Sequence, residues 1–595
     1  MMISYLIRSI KLIYYIKKSW LFATVFFRIV NGLLPFAELW VLQTLINEIA
    51  LFVKGDNSSM LLIIKLIILQ LVFAIIKSGI TNFLNVLDTS MEQLLHYELG
   101  KMIMNKLISV PYSCFELPSF YNHQFRIKNN YGTKFLRPIK NILESLQNVI
   151  SILSFISFLF FAHWILVIMA VVVGIPTFII QYKYGQAKFN LLIGQTTELR
   201  EASYIHGLLS NKQSAKEVRL FNLGNTFLEK WSKIILTNNS RLIHILKKQR
   251  NMNIGLDGLS AILYALATMV TVKIINLKKL SIGNFVTIIQ AMKELQQRIN
   301  HISLLLAVIL ESSLYVKDFF DFMDFENSET ENNTNMIGKT VKITNVKNIR
   351  IRNLFYKYPI NQEYTLKNIS LEIKENEKIA IVGDNGSGKS TLIKILVGLY
   401  QPTKGDILFG ENEIRQIEKT SLRENITVIF QDFVKFSYSV KENIAFSNIS
   451  DINNDIKINS VVNEMEINNL IKKLPNGINT NLGKIHPDSV DISGGEWQKI
   501  ALSRALFKGS NIIVLDEPTA ALDPKTEIYI FEKFIDLVKD KTAIFISHRM
   551  ASARIADRII VMNKGEIAEI GNHEDLINKK GVYYNMYNSQ AVWYQ

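Results

Sequence analysis

Lys378-Ile-Ala-Ile-Val382 runs into Gly383-Asp-Asn-Gly-Ser-Gly-Lys-Ser-Thr391 and then into Leu392 to Leu399: an apolar strand-like run, a glycine-rich loop and a helical stretch. This is the context in which the pattern G-x-x-x-x-G-K-[ST] has physical meaning. The glycines let the backbone curl until successive N–H groups and the helix N-terminus face one point, which suits phosphate oxygens. Gly383, Asn385, Gly386, Ser387, Gly388 and Thr391 are therefore expected to cradle the phosphates of a nucleotide, and the loop by itself would equally suit an ATPase, a GTPase or a kinase. Lys389 is expected to reach the β and γ phosphates and Ser390 to ligate Mg²⁺. Around the loop, Ile379 to Val382, Thr427 to Ile429, Ile512 to Leu515 and Thr542 to Ile546 alternate with helical stretches. That alternation predicts an α/β domain with a largely parallel sheet from Ile349 onward.

A second segment complements the loop. Ile512-Ile-Val-Leu-Asp516-Glu517 is an apolar strand ending in two acids. Asp516 is placed to hold Mg²⁺ through water, and Glu517 to orient or deprotonate an attacking water. An acidic strand end solvated at the surface fits poorly with Pro518-Thr519 following at once. His548, just past the run Ala543 to Ile546, is a candidate contact for the γ-phosphate, although a lone histidine is more often structural.

The first half of the chain is of another kind. The 595 residues exceed one ordinary core, and the apolar excess lies before residue 330. Runs long enough to cross a bilayer, about 20 residues each, occur at about 21–52, 60–87, 143–161, 165–181, 253–275 and 282–310. Residues 1–330 carry 33 Lys/Arg against 20 Asp/Glu, and residues 331–595 carry 34 against 32. Basic charge interleaved with apolar runs suits juxtamembrane loops rather than a nucleic-acid face. The stretch with Lys101, Lys106, Arg126, Lys128, Lys134, Arg137 and Lys140 and the stretch from Lys183 to Arg250 are both long and basic, so both are expected in the cytoplasm. The short connections near Gly55, His163 and Lys278 are expected outside, with Lys278 and Lys279 running against the rule. Both termini then face the cytoplasm. The N-terminus lacks the small-residue cleavage site of a secretory signal. Cys114 is the only cysteine, which rules out an intrachain disulfide or a thiolate metal cluster.

Segments such as Gly185 to Leu209 and Thr226 to Gln249 keep helical periodicity without being apolar throughout, so the spans are expected to continue as long cytoplasmic helices. At their turning points, Pro111 to Glu116 and Lys216 to Phe221 carry aromatic residues suited to docking on another domain; ordinary solvated turns are the alternative. The polar stretch Glu326 to Lys339 marks a linker. The expected organisation is a membrane domain over 1–325, a linker over 326–348 and an ATPase domain over 349–595.

With these features assembled, the chain resembles an ATP-binding cassette (ABC) exporter half-transporter along nearly its whole length. Its fold class would be a six-helix all-α transmembrane domain with long cytoplasmic extensions, followed by an α/β P-loop ATPase. Ile492-Ser493-Gly494-Gly495-Glu496-Trp497-Gln498-Lys499 resembles the signature motif of that family, which other nucleotide hydrolases lack. Ser493, Gly494 and Gly495 offer a hydroxyl and N–H groups before a helix, a second anion site, and the resemblance implies that it closes on the γ-phosphate held by an opposite subunit. Tyr358 resembles the aromatic that stacks on adenine. Gln431 resembles the glutamine that links Mg²⁺ to the membrane domain, and Ala521-Leu522-Asp523 resembles the loop that joins the two ATP sites across the dimer. Ile492 and Glu496 stand where Leu and Gln are commonest, and Leu482-Gly483-Lys484 replaces an acidic glycine segment. One complete set of ATP-site residues per chain implies two chains, most simply a homodimer; a heterodimer with an intact partner is the alternative.

The sixth span places Gln290, Glu294, Gln297 and His301 at helical spacing, with Lys293, Gln296, Arg298 and Asn300 beside them. Ionisable groups at membrane depth are costly unless they face partners or water, so this stripe is a candidate substrate cavity. The rival is pairing of Lys293 or Glu294 with Arg28, Glu38 or Asp257. Ser493 to Arg504 together with Phe430-Gln431-Asp432-Phe433 resembles exporters of lantibiotics and related modified peptides of Gram-positive bacteria. About twenty residues precede the first span, too few for a peptidase domain, so any leader peptide is expected to be removed by another protein. The expected function is ATP-driven efflux of a peptide or peptide-like product through a bacterial plasma membrane. A lipid or multidrug exporter and a non-transporting membrane ATPase are the alternatives.

Overall fold

The computed structural model describes residues 2–55, 59–127, 131–278, 281–325, 341–343, 346, 348–517, 524–547 and 550–591. The chain divides into two compact units. One comprises 1–109 and 119–325; the other comprises 110–118 and 326–595.

The first unit is helical: α1 (Met2–Val53), α2 (Met60–Ser109), α3 (Pro118–Ile127), α4 (Tyr131–Ala162), α5 (Trp164–Gly194), α6 (Thr196–Ser210), α7 (Lys212–Leu220), α8 (Gly224–Lys278) and α9 (Ile282–Met323). Among the described residues, six of these, α1, α2, α4, α5, α8 and α9, are long and apolar enough to cross a membrane. They outrun the apolar stretches, as their periodicity predicts. In α2, Leu61, Ile64, Ile68, Leu71 and Ile75 leave large side chains exposed. A helix apolar on its outward side is stable only where lipid replaces water. The polar continuation from Asp88 to Ser109 instead turns Met91, Leu95, Leu99 and Ile103 inward at helical spacing.

Packing inside this unit is partly ionic. Asp88 on α2, 2% exposed, accepts from Arg28 of α1 at 3.3 Å and pairs with Lys140 of α4 at 3.1 Å. Glu38 of α1 accepts from Lys77 of α2 at 2.8 Å. Arg28 and Glu38 are therefore paired between α1 and α2, and among the described residues no ion pair joins α9 to either.

The second unit holds two sheets. The larger has the order β10-β9-β3-β8-β7-β6, built from β3 (Lys378–Gly383), β6 (Ile426–Ile429), β7 (Ile512–Asp516), β8 (Thr542–Ile546), β9 (Arg558–Asn563) and β10 (Glu566–Gly571). Its pairings are parallel except that between β10 and β9. Residues of β3, β7 and β8 are buried throughout, as central strands covered on both faces require. A smaller antiparallel sheet joins β1 (Ile349–Tyr356), β2 (Leu366–Ile373), β4 (Lys404–Phe409) and β5 (Asn412–Glu413); the sequence pattern had not separated it from the parallel one.

The turn 110–118 belongs to this unit. Tyr112–Glu116 forms a short 3₁₀ helix with Cys114 buried. The Tyr400 hydroxyl donates to Glu116 Oε1 at 2.6 Å, and the Tyr112 and Tyr400 rings lie 5.5 Å apart. This expected docking turn thus packs on the ATPase fold. At the other turn, Leu220 and Phe221 are 76% and 62% exposed.

Candidate functional site

The glycine-rich loop leaves β3 and ends at α10 (Lys389–Leu396). Gly386 and Gly388 take φ of 80° and 100°, the left-handed region that glycine enters without steric cost. Gly388 is also the N-cap of α10, so the first helical N–H groups lie beside the loop. A cavity of about 760 Å³ opens there, lined by Tyr358, Thr365, Asn385, Gly386, Gly388, Lys389, Ser390, Thr391, Gln431 and Glu517. Nine of these ten residues were named from sequence. Thr365 was missed, because nothing in its local pattern distinguishes it from any residue before a strand.

Polar contacts tie Asp516 to the loop and Glu517 to Gln431. Lys389 Nζ donates to the carbonyls of Gly383 and Asp384 at 2.8 and 2.9 Å. Ser390 Oγ donates to Asp516 Oδ1 at 3.4 Å, and Gln431 Nε2 to Glu517 Oε2 at 2.8 Å. Burial pushes the Asp516 carboxyl above the usual carboxylate range, opposed by the Ser390 hydrogen bond. Burial likewise lowers the Lys389 ammonium. Both charges are destabilised alone, so a bound polyphosphate and cation would be met by groups held ready for them. The Ser390 hydroxyl, the Asp516 carboxylate and the Gln431 carbonyl oxygen are hard oxygen donors, Ser390 and Gln431 in the cavity lining and Asp516 hydrogen-bonded to Ser390, a set whose chemistry fits Mg²⁺ with water and phosphate completing its shell. Among the described residues no cluster of three His, Cys, Asp or Glu forms a separate metal site.

Tyr358 sits over α10. Its hydroxyl hydrogen-bonds Thr391 Oγ1 at 2.9 Å, and its ring meets Tyr356 and Tyr400 edge-on at 5.2 and 5.6 Å. The Tyr400 that holds Glu116 therefore also contacts the expected adenine platform. Sequence reading missed Tyr400 because only the fold brings it to both neighbours.

The expected second anion site begins α12 (Gly494–Lys508), and α11 (Val440–Ala445) packs against it. Ser493 is its N-cap: Ser493 Oγ accepts from the Glu496 N–H at 3.3 Å, while Glu496 Oε2 accepts from the Ser493 N–H at 2.8 Å. The glutamate that departs from the commonest residue thus completes a capping box. Arg504 anchors the helix, donating to the Asn443 carbonyl, Asn443 Oδ1 and the Val434 carbonyl at 2.9, 2.8 and 2.9 Å. Ser493 to Gly495 do not line the loop's cavity on the same chain. His548 and Asp523 lie outside the described residues.

In the membrane unit the polar stripe of α9 divides. Gln290 and Glu294 line a cavity of about 160 Å³ with Pro35, Glu38, Leu39, Leu42, Gln70, Ala74, Lys77 and Phe155. Gln297 is exposed. His301 turns to α4, with Nδ1 3.0 Å from Asn148 Nδ2 and Nε2 3.6 Å from Glu144 Oε1.

The ABC transporter family pattern matches residues 366–520. Over 98% of its length the chain is 30% identical to the nisin transport ATP-binding protein NisT of Lactococcus lactis subsp. lactis, covering 95% of that protein. It is 30% identical over 98% of its length to the subtilin transport ATP-binding protein SpaT of Bacillus subtilis, covering 94% of it. The ATP-dependent lipid A-core flippase 2 of Colwellia psychrerythraea is 32% identical over 60% of this chain and 59% of its own length. The solved structure of a bacterial Atm1-family ABC exporter with ATP bound matches with a TM-score of 0.79 at 21% identity, over 96% of this chain and 98% of the other, a likeness of fold.

Proposed function

This chain belongs to the ATP-binding cassette transporter family, as a multi-pass membrane ATPase of exporter architecture, and from that premise we propose that it exports a peptide or peptide-like natural product. The observation that carries the reading is the joining, in one chain, of a loop cavity holding Lys389, Ser390, Gln431 and Glu517 to six helices of membrane-crossing length. The peptide is carried over from the nisin and subtilin transporters, similar from end to end. A lipid substrate is the second reading, favoured by the partial likeness to a lipid A-core flippase. A non-transporting ATPase needs neither six spans nor a cavity with charged lining.

In this reading Tyr358 stacks on adenine and the loop residues hold the phosphates. Ser390, Asp516 and Gln431 would hold Mg²⁺, which supplies charge neutralisation at the β and γ phosphates. Glu517, bonded to Gln431, takes the proton of the attacking water or orients it. Two copies close head to tail, so that Ser493 to Gly495 of one complete the loop of the other, with Asp523 and His548 at the junction. Gln290, Glu294, Gln297 and His301 belong to the substrate path.

The test is ATP-dependent uptake of candidate peptides into inside-out vesicles bearing the full chain. Uptake that stops when Mg²⁺ is chelated is expected; lipid flipping with no peptide uptake would sink the peptide reading.

A further inference from the structure

The small cavity in the membrane unit has an unbalanced lining. Its charged groups are Glu38, Lys77 and Glu294. Glu38 is neutralised by Lys77 at 2.8 Å. Glu294 is not matched in the same way. The cation nearest to it is Arg298 at 3.9 Å, beyond hydrogen-bond distance, and Arg298 itself donates to Asn148 Oδ1 at 3.1 Å. Gln70 and Gln290, on either side of the same cavity, have no side-chain hydrogen bond among the described residues. One carboxylate and two amides therefore line a shared space, with no hydrogen bond to any of the three side chains among the described residues and only the long Arg298 contact to Glu294.

The depth of these groups makes that costly. Counted at 1.5 Å per residue from the helix ends at Val53, Met60 and Ile282, the five polar residues lie roughly 12–26 Å along their helices, within the stretches long and apolar enough to cross a membrane. A carboxylate so placed, with only one cation at 3.9 Å and no hydrogen bond, is under-satisfied unless water or a further cation meets it. The remaining wall is apolar, formed by Pro35, Leu39, Leu42, Ala74 and Phe155. The cavity volume of about 160 Å³ corresponds to about five waters at roughly 30 Å³ each. That is room for one charged group on an apolar stem.

We propose that this cavity is a subsite for a cationic group of an amphipathic substrate, a primary ammonium or guanidinium on an aliphatic stem, held by Glu294 with Gln70 and Gln290 as supporting acceptors. The proposal deepens the exporter reading and rests on it. Lys77 serves the site by neutralising Glu38, so that the lining keeps a single negative charge and takes one cation.

The full chain in lipid nanodiscs tests this through the ratio of stimulated to basal ATPase, with two pairs of probes. One pair is an alternating Leu/Lys peptide and its Leu/Glu counterpart; the other is dodecylammonium and dodecanol. The cationic member of each pair is expected to stimulate and the other not. Glu294→Gln is expected to raise the half-maximal concentration of both cations by about tenfold or more, the loss of one charge-assisted hydrogen bond. Glu294→Asp, which keeps the charge, should retain most of the response, and so should Lys293→Gln at the exposed neighbour. An unchanged response in Glu294→Gln, or equal stimulation by both members of each pair, overturns the subsite. Failure of the two readings is separable. Cation stimulation that depends on Glu294 without uptake of any peptide supports the subsite and removes the peptide. Peptide uptake regardless of charge and of Glu294 does the reverse.

Discussion

Glu517 follows the last residue of β7 with φ of 47°, a left-handed conformation that costs a non-glycine residue of order 1–3 kcal/mol. Its N–H donates to the Ile546 carbonyl on β8 at 3.1 Å, and its carboxylate meets Gln431. The fold thus holds this side chain at the cavity edge against its own backbone preference. Glu517→Gln is expected to keep nucleotide binding and lose turnover by about 10²- to 10⁴-fold, the usual share of a general base. Binding and hydrolysis measured on the same preparation check this, and hydrolysis at the wild-type rate would show that another group activates the water. The identity of Glu517, Asp516 and the loop residues was legible in sequence because each sits at a fixed offset from a strand or helix end. Their mutual bonds were not, since β3 and β7 are separated in sequence and reach each other only through β8 in the sheet.

At the scale of elements, two contacts invite measurement. Asp88 bridges α1, α2 and α4 while nearly free of solvent. Asp88→Leu strands Arg28 and Lys140 as uncompensated charges, and breaking a buried pair in this way costs about 3–5 kcal/mol. A lowered thermal unfolding temperature in detergent is the readout, with Asp88→Asn intermediate. The second contact is Tyr400, whose hydroxyl donates to Glu116 in the turn between α2 and α3. Burial and that carboxylate both push the Tyr400 phenol up, so it stays a donor across the physiological range. Tyr400→Phe preserves the ring packing with Tyr112 and Tyr358 and removes only this bond, worth about 1.5–3 kcal/mol as a bond to a charged group. Substrate stimulation of the ATPase is expected to fall more than basal hydrolysis does. Equal loss of both would mean that the contact merely stabilises the fold. The long helices were readable because their apolar and polar sections share one period. The antiparallel sheet was not, because its strands pair across intervals that no local pattern encodes.

At the scale of the whole molecule, one chain holds a loop cavity and a signature helix that does not line it. If turnover needs both composite sites of a pair intact, co-reconstituting equal amounts of wild-type and Glu517→Gln chains should leave about one quarter of the wild-type ATPase, the share of pairs with two intact chains under random pairing. A linear fall to about one half would show that one site turns over without the other. The amino-acid sequence by itself determined the division into an apolar, basic half and an α/β half, the six helices long and apolar enough to span a membrane, and the strand, loop and helix around Gly383 to Thr391. These depend on composition, period and spacing, which are local quantities. Only the tertiary structure decided the fate of the polar stripe on the sixth span. It sent His301 to α4, left Gln297 exposed, and set Gln290 and Glu294 against Gln70 and the Glu38–Lys77 pair. Residues at helical spacing share a face, but which neighbour meets each part of that face depends on how other helices cross it, and no stretch of one chain segment records that crossing.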